Sequence, residues 1–144
     1  MGTSTYLPKL YGVKARSSAL QAITSGEILT WQSTEYDVGD MWTTGSNINI
    51  KQSGVYHVIV QLDYAASSAG TYRETILSSA NLGSLSAEVV GAGPSDFRMI
   101  FQNHWVGTLT KGDVLTAYGY HNAGGTLANT DTSSFFIVQQ IRGL

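Results

Sequence analysis

One stretch constrains this chain more than any other. From Val55 to Tyr64, the residues Tyr56, Val58, Val60, Leu62 and Tyr64 alternate with His57, Ile59, Gln61 and Asp63. A period of two places successive side chains on opposite faces of a β-strand, and one face here is strongly apolar. A second stretch, Phe97 to Val106, behaves similarly. Phe97, Met99, Phe101 and Trp105 alternate with Arg98, Gln102 and His104; Asn103 interrupts the apolar set, and Ile100 and Val106 sit on the polar side. Such a strand contacts protein on both faces or carries a bulge.

Shorter candidates fill the remainder: Tyr11 to Ser17, Glu27 to Gln32, Ser46 to Ile50, Thr71 to Ser79, Leu85 to Val90, Val114 to Tyr120 and Ser134 to Ile141. Turn-formers lie between them, including Gln52-Ser53-Gly54, Gly91-Ala92-Gly93-Pro94 and Lys111-Gly112-Asp113. Short strands at regular spacing predict an all-β sandwich or barrel of about eight to ten strands. Ser17 to Ile23 is the best helical candidate, and it is short. A length of 144 residues fits one domain, with residues 1–10 as an N-terminal arm and 11–144 as the domain.

Composition narrows the function. Charged residues make up 12% of the chain, against about 25% typically, so its surface is polar but weakly charged, or covered in an assembly. A net charge of −2 and eight scattered Lys and Arg argue against a nucleic-acid partner. Without cysteine there is no disulfide or thiolate metal site. The N-terminus has no signal-peptide pattern, and no run of apolar residues suits membrane insertion.

Four features resemble the trimeric jelly-roll superfamily of complement q-type globular heads and tumour-necrosis-factor-like cytokines. Gly12-Val13-Lys14-Ala15 resembles its first strand. Glu35-Tyr36-Asp37, then Asn47-Ile48-Asn49-Ile50 and Gly54-Val55-Tyr56, resemble its tyrosine–glycine core. Leu109-Thr110-Lys111-Gly112-Asp113-Val114 resembles its Gly-Asp turn, and Phe135-Phe136-Ile137-Val138 its last strand. Ile137 departs from the small glycine usual in that last strand.

The resemblance implies a jelly-roll β-sandwich and a homotrimer, with the last strand at the centre of the trimer-proximal sheet. Similar stalkless, cysteine-free versions occur in tailed-phage virion proteins, as capsid decorations or as tail tips that touch host saccharide. The expectation is a capsid decoration protein, assembled in the host cytoplasm, that binds a major capsid or other virion protein through Thr3, Tyr6, Leu7 and Leu10 of the arm. A receptor-binding tail tip or fibre head is the alternative. Ile59, Ile100 and Val106 would line the trimer axis with Tyr118 and Tyr120.

Chemistry is thinly supported. Three histidines and many serines are present, but no Gly-x-Ser-x-Gly elbow, and no enzyme or cofactor is expected. Glu35, Asp37 and Asp40 are either turn acids bonding their own backbone or a calcium loop. Glu74, Glu88 and Asp96 are spread apart. His104 and His121 either begin a metal site across neighbouring strands or are surface residues. Trp105 reads as core. Trp42, in a loop of Gly, Thr and Ser, is a candidate exposed binding residue with Tyr36, or else packs on its own loop. Lys9, Lys14 and Arg16 read as a solvated strand face.

Overall fold

The computed structural model describes residues 9–93, 97–123, 127–129 and 133–144. Within them the chain forms twelve strands in two antiparallel sheets. They are β1 (Gly12–Arg16), β2 (Gln21–Ile23), β3 (Glu27–Ile28), β4 (Ser33–Val38), β5 (Ile48–Asn49), β6 (Gly54–Tyr64), β7 (Tyr72–Ser79), β8 (Gly83–Gly91), β9 (Met99–Leu109), β10 (Val114–His121), β11 (Leu127–Asn129) and β12 (Phe135–Gly143). The count exceeds the expected eight to ten because four pieces of two or three residues, β2, β3, β5 and β11, extend the edges.

The seven-stranded sheet runs β9-β6-β12-β1-β4, and β11 joins β6 at Asn129↔Tyr64 and carries β2. The other sheet runs β5 and β3 on one edge of β10, then β7, then β8. The long alternating segment became β6, the strand that pairs along its length with both β9 and β12. Its apolar set, Tyr56, Val58, Val60, Leu62 and Tyr64, is fully buried. Val13, Ala15, Phe136 and Val138 add to the same inner face, and Leu77, Leu115 and Ala117 face them from the opposite sheet. Each Val, Leu or Phe side chain among them contributes about 1.5–3 kcal/mol on burial.

Several expectations are corrected. Ser17 to Ile23 is not helical; it bends and then pairs as β2, since strand partners outweigh a weak local helical preference. Residues 33–38 are strand, not open loop: β4 pairs with β1, where Glu35 meets Lys14 at 3.0 Å and Arg16 at 2.8 Å. Phe97 is not an inward strand residue; it stands 66% exposed ahead of β9.

Asn103, which broke the apolar pattern, proves to be a link between the sheets. It is 2% exposed, its amide donates to Thr75 O at 3.0 Å and Ser86 O at 3.2 Å, and it accepts from Ser86 Oγ. Gly119 marks a close approach: a Cβ there would lie 2.9 Å from both Ile23 Cδ1 and the Tyr64 hydroxyl.

Candidate functional site

Because β6, β9 and β12 bury one face, their remaining residues form a broad outer face on the seven-stranded sheet. Register fixes its rows. Gln61 lies between Gln102 and Phe135, Ile59 between His104 and Ile137, and His57 between Val106 and Gln139. On this face Ile100 and Val106 are 54% and 59% exposed. Lys14 of β1 borders the face, its ammonium 5.0 Å from the Phe135 ring centre. Lys14 is also the main reason the Glu35 carboxyl is held below its usual range.

The five predicted axis residues do not share one face. Ile59, Ile100 and Val106 lie together on this outer face. Tyr118 and Tyr120 belong to β10 and point outward from the opposite sheet, their rings 6.3 Å apart. Strand parity put these tyrosines outside the core but could not tell which sheet they left from.

The expected pairing of His104 with His121 is also corrected. His104 Nδ1 lies 3.3 Å from His57 Nε2 on the outer face. His121 is buried, with Nε2 2.6 Å from Ile23 O and Nδ1 accepting from Ala123 N–H at 3.1 Å.

Asp37 caps its own turn, accepting from the backbone N–H of Met41 at 2.8 Å and Trp42 at 3.0 Å. Glu35 is engaged by cations, so Glu35, Asp37 and Asp40 do not converge; among the described residues no three His, Asp or Glu gather as metal ligands.

Trp42 is not a free-standing aromatic. It packs half-buried on the core, and its indole N–H donates to Gly45 O at 3.2 Å within its own loop. Tyr36 stays 37% exposed on the edge strand β4. Trp105 packs against the core, half-buried. Thr3, Tyr6 and Leu7 of the arm lie outside the described residues; Leu10 is 40% exposed.

Of two further buried polar groups, Asp113 belongs to the Gly-Asp turn that the sequence shows, while Arg73 had no sequence signal beyond its residue type. Asp113 accepts the Ser79 hydroxyl at 2.8 Å and the Val114 N–H at 2.9 Å, closing the Gly-Asp turn onto β7. Arg73, fully buried, donates to the carbonyls of Ser67 and Ala69 and fixes the segment before β7.

No family model matches this sequence, and no curated protein matches it. Solved structures do resemble the fold. Murine APRIL at pH 5.0 matches at 15% identity and a TM-score of 0.72, over 92% of this chain and 100% of that one. Eiger TNF from S. frugiperda matches at 16% identity and 0.71, over 94% of each chain. The globular domain of zebrafish complement 1qA protein matches at 14% identity and 0.67, over 93% of this chain and 99% of that one. The chain therefore has the jelly-roll fold of the tumour-necrosis-factor and complement 1q proteins, as the residues of its first, central and last strands led one to expect.

Proposed function

We propose that this chain is a non-enzymatic structural protein that assembles as a homotrimer through the outer face of its seven-stranded sheet. The observation that carries the reading is that face: Ile100 and Val106 stand more than half exposed beside Ile59 on the central strands of a jelly roll. The resemblance to trimeric jelly rolls supports a closed assembly of three, with β12 at the middle of the covered sheet. Covering the face removes its exposed apolar patch from water.

The particular setting we propose is a tailed-phage virion, where the trimer decorates the capsid and docks on a major capsid or other virion protein through residues 1–10. A receptor-binding tail tip is the second reading, favoured by the exposed ring of Tyr36 on the edge of β4. Binding of host saccharides that is lost in Tyr36→Ala, with no particle binding, would favour the tip.

Light scattering behind a sizing column tests the assembly. A mass near three times 15.4 kDa, stable on dilution, is expected. Ile100 is largely exposed in one copy, so Ile100→Asp should leave the sandwich folded and yield a monomer by placing an unpaired charge in the interface. A monomeric wild type, or a fully assembled Ile100→Asp variant, refutes the face. Deletion of residues 2–8 should abolish particle binding and leave the trimer intact; undiminished particle binding rules out the arm.

A further inference from the structure

A line of hydrogen-bonded polar side chains crosses the outer face, and that line is directional. Gln61 Nε2 donates to Ser133 O at 2.6 Å. Gln102 Nε2 donates to Gln61 Oε1 at 2.8 Å. With its amide nitrogen so committed, Gln102 presents Oε1 to His104 Nε2 at 2.9 Å, and His104 must donate there. His104 Nδ1 is then a lone pair, and the group facing it at 3.3 Å, His57 Nε2, must carry the proton. The ring centres are 5.6 Å apart, close to the separation of two imidazoles meeting nitrogen to nitrogen along one line.

When both imidazoles are neutral the network allows one arrangement, each protonated on Nε2, with His57 Nδ1 ending the chain as an acceptor. One added proton goes to that open end. A second goes to His104 Nδ1, where two N–H groups would meet head to head.

We propose that the His57–His104 pair makes self-association through this face pH-dependent, with copies assembled at neutral pH and released as the pH falls through the histidine range. The inference rests on the self-association reading above. On a free face either ring can turn to water when it is charged. Beneath a second copy it cannot, and the charge would be desolvated beside Ile59, Val106 and Ile137.

The surrounding charges do not relieve this. Gln139 is the register neighbour of His57 on β12, and no acid occupies the outer positions of β6, β9 or β12 beside the pair. On β1 the nearby charges are the cations Lys14 and Arg16, and the carboxylate of Glu35 is engaged by both. Arg142 follows at the far end of β12. Asp63, at the other end of β6, is paired with Arg98.

The sign follows directly. Assembly favours the neutral rings, so it is complete above the usual histidine titration range and is lost below it. A trimer repeats the pair three times, which makes the response steep.

The test is sedimentation equilibrium of the full chain between pH 7.5 and 5.5 at fixed ionic strength, with far-ultraviolet circular dichroism to confirm folding. The apparent dissociation constant of the wild type should rise at least about tenfold across that range, since more than one proton is linked to each assembly event. The double variant His57→Gln/His104→Gln should assemble and hold its dissociation constant within about twofold, having no proton to take up. A wild type that stays assembled with an unchanged constant overturns the proposal. So does a double variant that keeps the response, because His121 remains in it and would then carry the effect. A wild type monomeric at every pH overturns the proposal together with the self-association reading, and differs visibly from the first two results.

Discussion

Asn103→Ala tests the link between the two sheets. The side chain is 2% exposed and makes three hydrogen bonds, two of them to carbonyls of the opposite sheet. A buried intramolecular hydrogen bond contributes about 0.5–1.5 kcal/mol net, and a partner left unsatisfied costs about 1–3 kcal/mol. Ser86 Oγ keeps a second partner, the carbonyl of His104 at 3.1 Å, so it is not stranded. Thr75 O, deep between the sheets, loses the Asn103 amide. The expected destabilisation is therefore about 3 kcal/mol. With a urea m-value of about 2 kcal/mol/M, the midpoint should fall by about 1.5 M at constant protein concentration. Asn103→Asp should cost more, because a carboxylate would face the Thr75 and Ser86 carbonyls. A midpoint shift under about 0.5 M for the alanine variant would show that the amide does not hold the sheets together.

Other outcomes follow from the same packing. Asp113→Ala should lower stability by about 2–4 kcal/mol in urea unfolding, since the Ser79 hydroxyl and the amides of Asn81 and Val114 lose their shared acceptor. Gly119→Val should cost about 1–3 kcal/mol by overpacking against Ile23 and Tyr64; a neutral melting temperature would mean that this corner is loose. Burial pushes the Tyr56 phenol up to about 12 from an ordinary 10. The fold favours its neutral form, so the stabilisation is complete below pH 10 and is lost as pH rises through 12. Burial raises the Tyr64 phenol as well. Tyrosinate absorbance should therefore lag an unfolded control above pH 10, with the lag reduced in Tyr56→Phe; ordinary titration of all eight tyrosines in the folded chain would contradict this.

The strands that carry a burial contrast were readable before any coordinates. β6 announces itself because alternate residues differ sharply in polarity, whereas β7, β10 and β12 are marked by strand-forming residues between turn-formers and not by a polarity contrast. β4 was not readable, because it is an edge strand of charged and polar residues whose stability comes from β1, not from its own pattern. The outer face was readable from Ile59, Ile100 and Val106, apolar residues on the wrong side of an alternating strand. Tyr118 and Tyr120 were misplaced because parity along a strand says nothing of which sheet the strand joins. The His57–His104 pair was missed for a related reason. It depends on the register of β6 against β9, which puts Ile59 opposite His104 and leaves His57 as its diagonal neighbour. Nothing local in either strand sets that register.

The position of β12 has a consequence for how the protein is made. It is the last strand in chain order, yet it lies between β6 and β1 and pairs with both. Until it emerges from the ribosome, the first strand has no partner on that side, and the length of β6 offers an open edge lined inside by Tyr56, Val58 and Val60. Such edges recruit other chains. The seven-stranded sheet can close only once β12 has been made, through contacts between residues far apart in sequence, and closures of that kind are slow. A chain stalled or cleaved before Phe135 would keep its open edge and is the species expected to aggregate during production.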